Sequence, residues 1–471
     1  MKKFSDYPLN RDKNDLLRFR FFRSTFGNTS FLNILRVSLL LLTLYAIVYG
    51  LVIPDRKENL FTTALFWGLF WPFFMVITLP TLGNFFCMIC PHGFLSRKLS
   101  KIGFKLNLPK SLKNPYIGIG LNIMLYWFIL YTFPGILRQP FITALFFLFF
   151  TLLTVFISIL FSNGSYCRYF CPIGRVAPAF ARVGFTWLST YKNELCDSKC
   201  DKPDCAFACP YKLSPLKFEK NNSMDTCTLC MECVKSCEGV KLSIKKWSHS
   251  LLNKIPKPQS WEVWVYILFL AVITITMRFH HGLGHSPIKE SLPWVTIGKW
   301  LQSTTGIGKP FDFVGLTALI MALLITLSLI LGGFYLTSRI IKRPFKEIFL
   351  NLGYALAPLM IIGSLSHVCH FFFTHYYHQV INGFAQAFFI DIRVEPLAER
   401  NDAWLRIFYI FPFIAAFWSG YIMWVRIGFF NIKGFKKIVS YILSSGIIIF
   451  YLGLTIFILY IRYFSGLGHH H

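Results

Sequence analysis

Nine apolar runs of roughly 20 residues constrain this chain most, because a helix of ~20 apolar residues is long enough to cross a bilayer. The 471 residues are 55% hydrophobic with a mean hydropathy of +0.52, which is too apolar for a soluble protein. The predicted spans are residues 34–53, 60–80, 116–134, 140–162, 261–280, 312–336, 350–375, 405–425 and 438–461. We therefore predict an α-helical polytopic membrane protein with about nine transmembrane helices.

The basic residues predict the orientation. With a cytoplasmic N-terminus, 37 of the 48 Lys and Arg fall on the inner side, in residues 1–36, 85–115, 163–260, 338–349 and 426–437. This distribution follows the positive-inside rule and predicts a bacterial inner-membrane protein. The net charge of +27 then faces anionic membrane lipid, so it does not indicate nucleic-acid binding. Residues 1–36 lack a short apolar core, so we expect a cytoplasmic basic arm rather than a signal peptide.

Eight of the thirteen cysteines lie between residues 196 and 237. Cys227, Cys230, Cys233 and Cys237 have the spacing that binds a [4Fe–4S] cluster, and the run that ends in Cys209-Pro210 is a looser copy. In two-cluster ferredoxins the fourth cysteine of each run ligates the other cluster. We therefore predict an inserted cytoplasmic ferredoxin-like domain with two clusters, one held by Cys196, Cys200, Cys205 and Cys237, and one by Cys227, Cys230, Cys233 and Cys209. A zinc site or disulfides are the alternatives, and the reducing cytoplasm disfavours disulfides.

The inner ends of the second and fourth spans form an internal repeat. Offset by 81 residues, Cys90-Pro91 matches Cys171-Pro172, and Gly93 matches Gly174. We call these two segments the elbows, and we expect each proline to end the preceding helix. The thiols of the elbows are Cys87, Cys90, Cys167 and Cys171. They predict a third metal or iron–sulfur site, or a dithiol switch; the alternative is that they pack as small hydrophobic residues.

Histidines cluster on the predicted outer side. Three end the fifth span, His280, His281 and His285, and four lie in the seventh, His367, His370, His375 and His378. On an uninterrupted α-helix the last four would share about 140° of arc. Neutral imidazoles could ligate haem b or copper, or take protons from a quinol. Ordinary interfacial histidines are the alternative. The terminal His469–His471 is excluded as a candidate tag remnant.

The elbows CMICPHG and CRYFCPIG, followed by the cysteine runs, resemble the NapH/NosR/CcoG group of membrane polyferredoxins. The resemblance covers roughly residues 35–245, and the first elbow is one residue shorter than the usual Cys-x3-Cys-Pro. Membership would imply respiratory electron transfer, or copper handling during the maturation of a respiratory enzyme. It would also imply a redox partner protein and a role as an oxidoreductase component.

The predicted organisation places the cysteine runs between two membrane domains. The boundaries are 1–36 for the arm, 37–186 for four spans with the elbows, 187–245 for the ferredoxin-like domain, 246–260 for a linker and 261–471 for five spans. The favoured hypothesis is electron transfer between cytoplasmic clusters and a quinol or an outer redox site. A copper-reducing assembly factor and a redox-sensing transporter are the alternatives.

Overall fold

The computed structural model describes residues 11–191, 204–224, 226–308, 310–400 and 402–463. The chain forms two compact units. The cysteine unit comprises Met1–Leu51, Phe73–Gly118 and Ala144–Lys257, and the histidine unit comprises Val52–Pro72, Ile119–Thr143 and Pro258–His471. Each unit combines segments that are distant in sequence, and the predicted domain boundaries stay a prediction.

Eight helices within the described ranges are long and apolar enough to cross a membrane. They are Ser30–Val52, Phe61–Leu82, Pro140–Leu160, Ser260–Leu283, Phe313–Ile341, Phe345–Ala387, Ala403–Gly428 and Gly446–Tyr463. The predicted span 116–134 corresponds to a shorter apolar helix, Tyr116–Thr132. The predicted span 438–461 covers parts of two helices, because Gly434–Ser444 ends before Gly446. The number of transmembrane helices therefore stays a prediction.

The cysteine unit contains a two-stranded antiparallel sheet that brackets the second cysteine run. Strand β1 is Thr186–Thr190 and strand β2 is Val240–Ile244, with Leu188 opposite Leu242. Both leucines are buried in an apolar core that also contains Cys227 and Cys233. The shorter helices of this unit are Arg20–Gly27, Phe85–Ile89, Pro91–Ile102, Val176–Ala181, Asp204–Phe207, Leu216–Asn221, Glu232–Ser236 and His249–Leu252. The sheet thus fixes both ends of the segment that carries the run.

The described part of the N-terminal arm packs against this sheet through Asp15. One carboxylate oxygen of the buried Asp15 accepts hydrogen bonds from the backbone N–H groups of Leu17 and Leu242. The other oxygen accepts from Arg11 and from the Tyr191 hydroxyl, each at 2.8 Å. A buried carboxylate is stable only when it is paired and hydrogen-bonded. Residues 11–17 are therefore anchored to β2.

The histidine unit is built around the long helix Phe313–Ile341, which packs against Pro293–Thr305 and Gly434–Ser444. Asp312 caps this helix, because its side chain accepts hydrogen bonds from the N–H groups of Val314 (2.8 Å) and Gly315 (3.0 Å). An Asp at this position satisfies backbone donors that the first helical turn leaves without partners.

Candidate iron–sulfur and histidine sites

The two elbows have the same backbone conformation at their second cysteine. Helices end at Ile89 and Phe170, and the next residues, Cys90 (φ −54°, ψ 126°) and Cys171 (φ −64°, ψ 125°), are extended. Proline excludes the preceding residue from helical angles, so the Cys-Pro pair stops each helix. The prediction that the prolines end these helices is confirmed. The first elbow then begins a new helix at Pro91.

Glycine is required at the second elbow. A Cβ atom at Gly174 would lie 1.9 Å from the carbonyl oxygen of Cys167 and 3.1 Å from the Cβ of Cys171. The chain thus folds back until residue 174 touches both elbow cysteines. At the matching position of the first elbow, a Cβ at Gly93 would lie 3.6 Å from the Cys87 carbonyl oxygen, an ordinary contact. The shorter cysteine spacing of the first elbow therefore coincides with a looser fold.

The structure places the four elbow thiols within electrostatic reach of one another. Burial raises the pKa of Cys87 well above its usual range, and the thiols of Cys90, Cys171 and Cys167 raise it further. Burial also raises the pKa of Cys90 to about 11, with a further contribution from Cys167. Neutral buried thiols that disfavour each other's ionisation become stable thiolates only when a cation or a metal cluster binds them. The chemistry of the four thiols therefore suits them as ligands of a metal ion or a metal cluster.

The second cysteine run encloses an apolar cavity. Its lining includes Leu188, Phe218 and Met231. Four cysteines face the same cavity, namely Cys209, Cys227, Cys230 and Cys233. The loop wraps around it through left-handed conformations at Leu229 (φ 48°) and Met231 (φ 64°), which are strained for residues with side chains. Cys209 thus meets the three cysteines with which the sequence paired it.

The first predicted cluster can be traced only in part. Cys196 and Cys200 lie outside the described residues. Cys205 is buried on the helix Asp204–Phe207, and Cys237 follows the helix Glu232–Ser236. These two helices pack against each other, and neither cysteine lines the cavity described above. The ligand set of the first cluster stays a prediction.

The thiols of the cavity fit a multi-iron cluster better than a single ion. Among the described residues, no three His, Cys, Asp or Glu side chains converge closely enough to hold one metal ion. Tetrahedral zinc, with bonds of ~2.3 Å, would bring its thiolates within about 4 Å of each other. Each thiolate of a [4Fe–4S] cube binds a different iron, so the thiolates lie further apart. Burial raises the pKa of Cys209, and these thiolates too would need a metal.

Direct hydrogen bonds connect the first elbow to the second cysteine run. The Asn84 side chain donates to the carbonyl oxygen of Cys227 at 2.6 Å. Arg36, only 1% exposed, donates to the carbonyl oxygens of Met88 (2.8 Å) and Cys230 (3.0 Å). Met88 lies between the elbow cysteines, so one guanidinium holds both loops. The elbow thiols and the cavity thiols are therefore neighbouring parts of one unit.

In the histidine unit, four of the seven predicted histidines form a continuous group. The ring centroid of His281 lies 4.8 Å from that of His280, 5.8 Å from that of His285 and 6.0 Å from that of His367. The group meets Asp312 through His280 Nε2, which is 3.6 Å from the carboxylate. Stacked imidazoles joined to a carboxylate can accept and pass protons.

The other three histidines lie further along the helix Phe345–Ala387, and His375 contacts Arg400, with 3.3 Å between Nε2 and Nη2. The π-helical turn Phe372–Tyr376 separates His370 from His378. A π turn is wider than an α-turn, so the arc expected for an uninterrupted α-helix does not apply. The proposed haem or copper ligation by these histidines stays a prediction.

Sequence reasoning missed three residues that help build these sites: Arg36, Asn84 and Asp312. Of these, only Asp312 could have been recognised in the sequence, because an Asp just before an apolar run is a typical helix N-cap. The others act through contacts with residues distant in sequence.

Comparison with known proteins identifies the elbows independently. The family described as "4Fe-4S binding domain" matches the chain twice, over residues 63–109 and 143–187. Each match contains one elbow, so the internal repeat is confirmed, and the match supports at least one iron–sulfur cluster. No solved structure matches the chain significantly.

Three curated proteins are similar to part of the chain. YccM of Escherichia coli (strain K12), whose name marks it as a candidate electron transport protein, is 27% identical over 250 residues, 46% of this chain and 67% of YccM. The uncharacterised protein MJ0749 of Methanocaldococcus jannaschii is 28% identical over 176 residues, 35% of this chain and 66% of that protein.

The uncharacterised protein MJ0750 of the same organism is 31% identical over 189 residues, 36% of this chain and 74% of MJ0750. The relatives thus align with less than half of this chain. Since about three quarters of MJ0750 is matched at this identity, this chain belongs to the same family as MJ0750.

Proposed function

We propose that this chain is a membrane iron–sulfur protein that passes electrons between clusters in its cysteine unit and a quinol or another redox site at its histidines. The observation that carries the proposal is the cavity in which Cys209 joins Cys227, Cys230 and Cys233. Two further supports are the 4Fe–4S matches at the elbows and the similarity to YccM. Bound [4Fe–4S] clusters would supply one-electron redox chemistry.

The residues of the cysteine unit have two roles in this proposal. Cys209, Cys227, Cys230 and Cys233 hold one cluster, Cys205 and Cys237 contribute to a second, and the four elbow thiols hold a third. Leu188 and Phe218 form an apolar wall that keeps water away, and low polarity around a cluster is one factor that sets its potential.

The histidine group supplies proton chemistry. A quinol that gives up electrons also gives up protons, and a neutral imidazole can take them. His281 is central because its ring adjoins those of His280, His285 and His367. We propose that this group accepts quinol protons and that the Asp312 carboxylate, 3.6 Å from His280 Nε2, stabilises the positive charge that results. Copper handling has less support, since no three His, Cys, Asp or Glu side chains among the described residues converge on one ion.

The cluster proposal is tested on the full chain purified without oxygen. Iron, acid-labile sulfide and EPR after dithionite reduction are measured for wild type, Cys227→Ser and Cys369→Ser. We expect [4Fe–4S] signals in wild type and the loss of about four irons per chain in Cys227→Ser. Cys369 belongs to the histidine unit and to neither run, so its variant should keep the wild-type iron content. Stoichiometric zinc without an EPR signal would contradict the proposal.

The quinol proposal is tested on the same preparation. A water-soluble quinol should reduce the clusters, or its quinone should oxidise them, at a rate that His281→Phe lowers at least tenfold. Phenylalanine keeps a ring in the stack but cannot accept a proton. Dithionite should reduce both proteins equally. Equal quinol rates in the two proteins would remove the histidines from the mechanism and leave the cluster assignment intact.

A further inference from the structure

A cation whose two terminal nitrogens find no hydrogen-bond partner among the described residues is buried beside the elbow. Arg97 lies on the helix Pro91–Ile102 and is only 5% exposed. Within the described part of the chain, neither its Nη1 nor its Nη2 has a hydrogen-bond partner. A buried guanidinium without an anion is costly, so folded proteins keep one where a negative charge compensates it. The position of Arg97 therefore indicates an anionic group close to the elbow.

Tyr211 fills the space between the elbow and the cavity. Its ring lines the cavity together with Cys209 and Cys230. The ring also lies so close to Gly164, just before the second elbow, that a Cβ there would be 2.4 Å from its Cε1 atom. Its hydroxyl is fully buried and has no hydrogen-bond partner among the described residues. One aromatic ring thus lies beside the cavity and beside the residue Gly164 that precedes the second elbow.

Arg97 is within electrostatic reach of both thiol sites. Burial lowers the pKa of its guanidinium, but Tyr211, Cys230 and Cys167 outweigh burial and the net shift is upward. Cys230 belongs to the cavity and Cys167 to the second elbow. A Cβ at Gly93 would lie 3.5 Å from Nη1 of Arg97, which places the charge against the first elbow.

We propose that Arg97 is the shared counter-ion of the elbow site and the cavity site, and that it raises the reduction potential of the clusters bound at both. Tyr211, whose ring lines the cavity and lies against Gly164, is the positioning residue between the two sites. The inference rests on the proposed function, because it requires clusters at both sites. A cluster with four thiolate ligands becomes more negative on reduction, so a nearby fixed cation stabilises the reduced form.

The test is a redox titration of the full chain, purified without oxygen and followed by EPR. In Arg97→Gln, the midpoint potentials of two clusters should fall together, and Arg97→Lys should retain most of the wild-type values because it keeps the charge. Tyr211→Phe should shift both potentials in the same direction by a smaller amount. Lys101→Gln removes a charge from the exposed face of the same helix, so it should leave every potential unchanged.

The outcomes separate the inference from the function. Wild type without clusters would refute the proposed function itself. Normal iron content with unchanged potentials in Arg97→Gln would overturn the inference alone, as would a shift of one cluster only. If Arg97→Gln loses its iron, the other two variants decide. Wild-type potentials in Tyr211→Phe would count against a shared counter-ion. An iron loss in Arg97→Lys equal to that in Arg97→Gln would also count against it.

Discussion

Gly174 shows how a single residue determines the shape of the second elbow. Its missing side chain lets the backbone approach the Cys167 carbonyl and brings residue 174 against the Cβ of Cys171. The neighbouring Cys171-Pro172 pair stops the helix but cannot by itself close the turn. Glycine and proline therefore have complementary roles here.

Gly174→Ala should destabilise the cysteine unit, because the new Cβ would overlap the backbone carbonyl of Cys167. That carbonyl could move away only by distorting the backbone of the elbow. We expect a loss of about 3 kcal/mol, the upper end of typical overpacking costs, together with a loss of the elbow cluster. Thermal unfolding in detergent and iron analysis measure the two effects. Gly453→Ala is the matched control, because a Cβ there meets no atom within 4 Å. Equal stability of the two variants would contradict this account of the elbow.

Individual residues also connect the two thiol sites. Asn84 and Arg36 use side-chain donors to hold backbone carbonyls of the second cysteine run. The partners are 143 and 194 residues apart in sequence. No local pattern predicts such pairs, so the sequence pointed to the thiols but not to the residues that position them.

Among the elements, the helix Phe313–Ile341 depends on its capping residue. Burial raises the pKa of Asp312, but the neighbouring His280 imidazole and the hydrogen bonds from the backbone N–H groups of Gly315 and Val314 lower it by more, so the net shift is downward. A lowered carboxyl pKa means that the ionised side chain stabilises the folded state. The contribution is complete above the unfolded pKa of about 3.9 and is lost as the pH falls through the lower folded pKa.

Asp312→Asn should therefore destabilise the protein by about 0.5–1 kcal/mol at pH 7, because Asn still caps the helix but carries no charge for its dipole. The difference should shrink as the pH falls from 4 toward 3. Thermal unfolding in detergent across this range measures it. Asp391→Asn, in an exposed loop, should show no such change with pH. If the stability difference between wild type and Asp312→Asn stays constant down to pH 3, the ionised Asp312 side chain does not stabilise the folded state.

At the scale of the whole molecule, the described helices are consistent with a membrane protein, and the basic residues predict how it is oriented. The segments predicted to be cytoplasmic include the arm, the elbows and the cysteine runs. The histidines are predicted on the outer side. Orientation thus determines which compartment each proposed site exchanges electrons or protons with.

Epitopes inserted into the full chain after Lys113 and after Glu395, both exposed, test this orientation. In spheroplasts, added protease should cut the epitope after Glu395 and leave the one after Lys113 intact until the membrane is permeabilised. The reason is that basic inner loops are not translocated. Cleavage of both epitopes from the same side would refute the predicted topology.

The sequence by itself determined the features that depend on short spacing and composition. The helix stops at Cys90-Pro91 and Cys171-Pro172 follow from the restriction that proline places on its neighbour, and the repeat is visible as matched residues. Apolar runs and charge counts likewise need no tertiary information.

Only the tertiary structure decided which groups meet. It brought Cys209 to the cavity of the second run, placed Tyr211 in the lining of that cavity and buried Arg97 against the first elbow. It also joined His281 to His367 across 86 positions of sequence, a pairing that helical periodicity within one span could not indicate. The physical reason is that a buried charge or ring takes its partners from whatever the fold packs against it, and packing is not encoded in local spacing.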